Sequence, residues 1–249
     1  MLHIGNEPPS MVGYQVFHED GLYGARGLYF NYVLAGNGLF IEAESPLLSG
    51  RVQIAEAQVR GLQPMVPEVY LPHGKIPIRL MELALTVFLA NPDVEQYVCV
   101  VFEEGEYRLR APKQTGRGAS VEYERLDNVV MDLHSHGKMG AFFSSQDNKD
   151  EQGLRLYGVV GGLREVLHMK MRFGIYGYFG PGEWTEVFDG PSFVANKPDK
   201  EIEIPDYDPV APAEYPGGIK PGEYDLVKLL RENADNPEAV RFIADMLEE

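Results

Sequence analysis

The sequence predicts an α/β fold in which a mixed β-sheet is flanked by helices. Three observations predict it. A mostly apolar helical stretch begins after Pro77 and stops at Asn91-Pro92. Short apolar runs typical of strands follow, up to about residue 188. The first 73 residues also consist of short strand-like runs separated by turn residues, whereas the composition becomes acidic and Pro-rich after residue 195.

These changes divide the chain into three predicted parts. They are a β-rich N-terminal segment (1–73), a central domain (74–195) and an acidic, Pro-rich linker followed by C-terminal helices (196–249). In the first part, Asn37-Gly38 lies between the apolar runs 28–34 and 39–43, which predicts a β-hairpin. In the last part, apolar residues at helical spacing predict a small helical hairpin bent at Asn236-Pro237.

The central helix is predicted over residues 78–89. Pro77 suits its first turn, and its largely apolar sequence indicates that the domain core covers it on several sides. A loop rich in Gly and basic residues is predicted over 113–118. The strand candidates share short apolar runs bounded by turn residues. They are 95–102, 107–110, 120–124, 128–133, 154–160, 169–178 and 184–188.

Charge narrows the classes of partner. The 249 residues include 22 Lys plus Arg and 38 Asp plus Glu, giving a formal net charge of −16. Such a field repels phosphate backbones and argues against nucleic acid as a partner. It favours encounter with a basic protein, and solubility alone also accounts for it.

The single cysteine, Cys99, lies within the apolar run 97–101. A sequence with one cysteine can form neither an intramolecular disulfide nor a zinc site built from several thiolates. We predict that Cys99 is a buried structural thiol. No run approaches the roughly 18 apolar residues that span a membrane, and the N-terminus lacks the pattern of a secretion signal. We therefore expect a cytoplasmic protein with no membrane partner.

The stretch 134–147 contains side chains that could bind a metal ion. His134 and His136 stand at the end of a predicted strand, where residues i and i+2 point to one face and can bind one ion. Ser144 is a plausible helix N-cap, and Asp147 then lies in the first turn of that helix. Two imidazoles and a carboxylate leave a fourth position for water, as in catalytic zinc sites. Alternatively, the His pair is incidental and Ser144-x-x-Asp147 is an ordinary capping pattern.

The combination of His134-x-His136, seven further residues and Ser144-x-x-Asp147 resembles the signature of the JAMM metallopeptidases, also called MPN-plus or JAB domains. The resemblance implies one zinc ion per chain on His134, His136 and Asp147, within a mixed sheet flanked by helices. It also implies a catalytic glutamate near the start of a strand that follows a helix, and Glu95 fits this position. Ser144 would donate a hydrogen bond to the oxyanion.

The chain departs from the family pattern at three positions. Val98 replaces a glycine common three residues after the glutamate, and Gly137 and Phe143 replace two common prolines. The departures leave other acidic residues as alternatives to Glu95. These are Glu82, Glu103, Glu104 and Glu106.

More loosely, the whole chain resembles the JAMM proteins of bacterial PRTRC-type gene clusters, through Gly61-Leu62, Ile76-Pro77 and the run 141–144. Such clusters also encode a ubiquitin-like protein and relatives of ubiquitin-activating and ubiquitin-conjugating enzymes. The implied activity is zinc-dependent hydrolysis after the C-terminus of a ubiquitin-like protein, in deconjugation or precursor processing. That modifier or its conjugate, and the activating and conjugating proteins, are the implied partners.

Two other functions stay open. One is a zinc hydrolase that acts on a small amino-acid or sulfur-carrier adduct, and the other is a non-catalytic scaffold of the MPN type. The sequence also leaves open the linkage, the oligomeric state and whether residues 138–143 form a lid. The N-terminal segment and the C-terminal helices are candidates for substrate grip or self-association.

Overall fold

The first 61 described residues build a six-stranded sheet. The computed structural model describes residues 10–112, 114–117, 120–123 and 126–191. The strands of this sheet are β1 (Val12–His18), β2 (Gly21–Tyr23), β3 (Phe30–Ala35), β4 (Gly38–Glu44), β5 (Ser49–Glu56) and β6 (Glu68–Tyr70). Their spatial order is β2-β1-β3-β4-β5-β6, and only the β1–β3 pair is parallel.

The predicted hairpin at Asn37-Gly38 is confirmed by the antiparallel pairing of β3 with β4. Gly38 has φ +148°, a conformation that L side chains rarely adopt. The Asn37 side chain holds the turn to a later loop: its amide donates to the Met65 carbonyl (2.8 Å) and its oxygen accepts from the Met65 amide (2.9 Å).

The central helix and the strands that follow it build a second six-stranded sheet. The elements are α1 (Ile78–Ala90), β7 (Tyr97–Glu103), β8 (Glu106–Arg110), β9 (Gln114–Arg117), β10 (Ser120–Tyr123), β11 (Val129–Ser135), α2 (Asp147–Asp150), β12 (Leu154–Gly161), β13 (His168–Ile175), β14 (Tyr178–Pro181) and α3 (Trp184–Val187). The sheet order is β14-β13-β12-β11-β7-β8, while β9 and β10 form a separate hairpin. Within the sheet only β11 and β12 run parallel.

The prediction of an α/β fold with a mixed sheet is confirmed for the described residues. The helix expected at 78–89 is α1, preceded directly by Pro77 and ended at Asn91. The C-terminal helices predicted within 196–249 lie outside the described residues, and the division into 1–73, 74–195 and 196–249 stays a prediction. Among the described helices, none is long and apolar enough to cross a membrane.

Three local predictions were wrong. The expected strand at 169–178 turns at Tyr176-Gly177 and is divided between β13 and β14. Part of the expected loop at 113–118 is strand β9, which pairs with β10. The expected strand at 184–188 is the helical turn α3. The apolar positions Trp184, Val187 and Phe188 have the spacing of one helix face, and the rings of Trp184 and Phe188 lie 4.5 Å apart between centroids. A run of five residues is too short for its apolar spacing to separate a helix from a strand, which explains the error.

The two faces of the second sheet have different surroundings. Val98, Val100 and Leu133 belong to the main hydrophobic core, which they share with α1 and with inward residues of the first sheet such as Ile41. Because side chains alternate along a strand, Cys99 and His134 point to the opposite face. The candidate metal ligand His134 therefore lies on the face of the sheet turned away from α1.

Candidate metal centre

His134 and His136 converge at the end of β11. His134 is part of the strand, and His136 follows it directly and continues the pairing with β12 by donating its amide hydrogen to the Val160 carbonyl (2.8 Å). The Nε2 atoms of the two imidazoles lie 3.2 Å apart. The extended backbone thus places both rings on one side of the chain, as the His-x-His spacing predicts.

Asp147 completes the cluster from α2. Its Oδ1 atom lies 3.5 Å from Nε2 of His134, and one donor atom from each of the three residues falls within a 4.8 Å group. In a tetrahedral zinc site with bonds of about 2.0–2.1 Å, neighbouring ligand atoms are about 3.3–3.5 Å apart. Two of the three separations, 3.2 Å and 3.5 Å, lie close to these edges, so the donor set fits a metal ion held by three protein ligands.

The structure corrects the predicted N-cap, since α2 begins at Asp147 and its N-cap is Gln146, but the hydrogen bonds expected of the capping pattern are present just before the helix. The Ser144 hydroxyl accepts a hydrogen bond from the Asp147 amide (3.1 Å), and Oδ2 of Asp147 accepts one from the Ser144 amide. This reciprocal pair is a capping box with Asp in place of the usual Glu or Gln. It uses Oδ2 and leaves Oδ1 facing His134, so capping and metal binding are compatible roles of one carboxylate.

The protonation states of the imidazoles favour metal binding. Burial lowers the pKa of His134 to about 4, although the Asp147 carboxylate opposes the shift. Burial also lowers the pKa of His136, again against the effect of Asp147. Both rings are therefore neutral near pH 7, and a neutral imidazole offers a lone pair to a metal.

Glu95 lies beside this cluster, at the entry to β7. The register pairs His134 with Tyr97, and the Ser135 amide donates to the Gln96 carbonyl (2.9 Å). Continuing that register by one residue brings Glu95 opposite His136. Burial, with a contribution from the Asp147 charge, raises the pKa of the half-buried Glu95 carboxyl.

The alternative glutamates lie elsewhere. Glu103, Glu104 and Glu106 surround the β7–β8 turn, about 20 Å or more from Glu95 along the strand, and form ion pairs with Arg108 and Arg110. Those pairs are Glu103–Arg110, Glu104–Arg108 and Glu106–Arg108. Glu82 lies on α1, behind the opposite face of the sheet. Of the five candidates, the structure brings Glu95 alone to the cluster.

The loop between His136 and α2 is held against the end of β12. The Gly162 amide donates to the Met139 carbonyl (2.7 Å), and the Leu163 amide donates to the Gly137 carbonyl (3.0 Å). Phe142 packs its ring edge-on against His136, 4.6 Å between centroids, while its side chain stays 43% exposed. The segment considered as a lid is thus docked beside the candidate metal ligand His136.

Gly137 explains one departure from the family pattern. Its φ is +58°, in the left-handed region. Proline cannot adopt this angle because its ring fixes φ near −65°. The turn after the second histidine is therefore built on a different backbone conformation from one that a proline would give.

Two polar groups near the cluster were missed by sequence reasoning. Asp132, buried and two residues before His134, accepts hydrogen bonds from the Tyr97 hydroxyl and from Arg155 (3.1 Å). A lone Asp within an apolar strand was a usable signal for such a group. Arg172 of β13 contacts α2, and no local pattern indicated it.

Comparison with protein families supports the resemblance drawn from the motif. A family model described as prokaryotic homologs of the JAB domain matches residues 84–173, a segment that contains Glu95, His134, His136, Ser144 and Asp147. Comparison with curated proteins gave no match. The narrower PRTRC-type resemblance stays a prediction. Residues 84–173 are thus similar to the prokaryotic JAB domain, in agreement with the resemblance drawn from the motif.

Proposed function

We propose that this protein is a zinc-dependent peptidase that hydrolyses the amide or isopeptide bond after the C-terminus of a ubiquitin-like protein. One observation carries the proposal: two neutral imidazoles and a carboxylate converge at tetrahedral spacing, with a carboxyl group of raised pKa beside them. Three protein ligands and an open position are typical of catalytic zinc sites, whereas structural sites are closed.

His134, His136 and Asp147 would hold the ion. A bound zinc ion would supply a Lewis acid and would lower the pKa of water to about 7. Glu95 would act as the general base that accepts a proton from the attacking water and returns it to the leaving amine, and a raised pKa makes its carboxylate a stronger base. The Ser144 hydroxyl accepts from the Asp147 amide, which leaves its own hydrogen free to donate to an oxyanion.

The substrate class rests on family resemblance and charge. The JAB domain family includes metallopeptidases, and the looser resemblance to proteins of ubiquitin-like gene clusters favours a ubiquitin-like modifier or its conjugate. A net charge of −16 favours encounter with a basic surface. The flexible tail of such a modifier would bind as an added strand on a sheet edge.

The metal assignment is tested by elemental analysis of zinc-loaded protein. We expect about one zinc per chain in the wild type and in Glu95→Gln, and little in His134→Ala and Asp147→Ala. A wild type that binds no zinc after loading would refute the assignment. Glu95→Gln that loses its zinc would make this residue a ligand instead of a base.

The activity is tested on three substrates: a folded ubiquitin-like protein joined to a lysine side chain, its isolated tail peptide and a small amino-acid adduct. We expect cleavage of the folded conjugate, abolished by Glu95→Gln with zinc retained. Glu104→Gln is the matched control, because Glu104 is exposed and distant from the cluster. Preference for the small adduct would favour the sulfur-carrier function, and zinc without any hydrolysis would favour a scaffold.

A further inference from the structure

The helix that carries Asp147 is too short to be stable without contacts to the rest of the protein. It has four residues, none of them buried, and isolated helices of this length are unstable in water. The capping box fixes Asp147 relative to Ser144, but it does not attach either residue to the sheet that carries the histidines. Another contact must set the distance between Asp147 and β11.

Arg172 supplies hydrogen bonds to both ends of α2. Its Nη1 atom donates to Oδ1 of Asn148 (2.6 Å), the residue immediately after Asp147. Its Nε atom donates to Oε2 of Glu151 (2.8 Å), the residue that ends the helix, and Nη2 lies 2.6 Å from the same oxygen. Arg172 and Glu151 are both more than nine-tenths buried, so water screens this pair little.

The guanidinium is also held between two aromatic rings. Its central carbon lies 3.8 Å from the ring centroid of Phe143 and 3.7 Å from that of Phe179. Cation–π contacts of this kind are strengthened when water is excluded. Phe143 directly precedes Ser144, so the same side chain contacts the residues on either side of the 144–147 segment.

The sheet register connects this contact to the histidines. Arg172 pairs with Tyr157 on β12, and Tyr157 pairs with Asp132 on β11, two residues before His134. Residues paired across neighbouring strands share a face. Arg172 therefore stands on the same face of the rigid sheet as His134, separated from it by one strand.

We infer that Arg172 is a positioning residue, which fixes the Ser144–Asp147 segment on the sheet and so sets the geometry of the metal ligand Asp147. The inference rests on the proposed function, since it concerns the same metal. Lysine cannot replace Arg172. Its single ammonium group lacks the planar fork that reaches Asn148 and Glu151 together, and it has no flat face to stack between the two rings.

The test compares Arg172→Lys with the wild type in zinc affinity, measured by chelator competition. Supporting contacts of this kind typically contribute 10–100-fold to metal affinity, and we expect a loss of about that size. The absorption of the cobalt-substituted protein should also weaken, since tetrahedral cobalt absorbs more strongly than cobalt of higher coordination number. Arg110→Lys is the matched control, because Arg110 is an ion-paired strand residue far from α2.

A second variant tests the inference even if Arg172→Lys does not fold. Asn148 is exposed, so Asn148→Ala removes one contact to Arg172 without opening the core. We expect it to weaken zinc binding several-fold with no change in the unfolding temperature of the metal-free protein. Wild-type zinc affinity and cobalt absorption in Asn148→Ala and in any folded Arg172→Lys would overturn this inference alone. A wild type that binds no metal would overturn the proposed function as well.

Discussion

The backbone of Met139 crosses Gly161 so closely that a Cβ atom at position 161 would lie 2.3 Å from the Met139 carbonyl oxygen. The same Cβ would lie 2.4 Å from the carbonyl carbon of Gly140 and 2.5 Å from the amide nitrogen of Ala141. Only a glycine at the end of β12 lets the ligand-bearing loop dock here, because backbone atoms on both sides have little freedom to move.

Gly161→Ala should therefore displace the loop after His136. We expect a loss of about 1–3 kcal/mol in the free energy of unfolding, the usual effect of overpacking, together with weaker zinc binding. Gly140→Ala is the control, because no atom lies within 4 Å of its added Cβ, and its effect should stay within about 0.5 kcal/mol. Urea denaturation of the two variants measures the free energy of unfolding of each. Equal stabilities would contradict the inference that the loop needs a glycine at position 161.

The two roles of Ser144 have different readouts, since its hydrogen bond to Asp147 affects stability and its proposed hydrogen bond to the oxyanion affects turnover. Ser144→Ala removes both the acceptor of the Asp147 amide and the proposed oxyanion donor, so we expect a stability loss of about 1 kcal/mol and a fall in kcat of about 10²–10³. Ser144→Thr keeps a hydroxyl and should retain most of the stability. Steady-state kinetics and thermal unfolding on zinc-saturated protein provide the measurement. Undiminished turnover in Ser144→Ala would remove this residue from the chemistry.

The metal-free protein should lose stability as the pH falls below 6.5. Burial lowers the pKa of His134 from its ordinary 6.5 to about 4, so between these values the unfolded chain binds more protons than the folded one. The free energy of unfolding therefore falls as pH decreases through this window, by about 3 kcal/mol at most. Above pH 6.5 the contribution is fully present.

Urea denaturation of metal-free wild type and His134→Asn at pH 7 and pH 5 tests this. Because carboxyl groups titrate in both proteins, the difference between them isolates the histidine. We expect the variant to lose less stability between the two pH values. An identical loss in both proteins would show that His134 titrates normally.

Cys99 should be inert in the folded protein. Its side chain is fully buried, and burial, with a smaller contribution from the Asp132 charge, raises its thiol pKa to about 12. Since the thiolate is the reactive form, we expect no reaction with a thiol reagent at pH 8 until denaturant is added. Rapid labelling of the native protein would contradict the prediction of a structural thiol.

The parts of the site that follow from local periodicity were predictable. Alternation along a strand places His134 and His136 together, and a helix-start pattern identifies Ser144 and Asp147. Arg172 was not predictable, because its contact with Asn148 joins residues 24 apart and depends on how β13 lies beside β12. The same limit applies to Gly137, whose positive φ no local sequence pattern indicated.

The parallel pairing of β11 with β12 has a consequence for how the site can vary. Two adjacent parallel strands cannot be joined by a tight turn, so the chain must leave the sheet and return from its other end, over a dozen or more residues. Residues 136–153, which include His136, Ser144 and Asp147, are this obligatory crossing. Sheet topology requires only that the crossing be long enough, so insertions between Gly137 and Phe143 could reshape the rim of the site while the strand order stays the same.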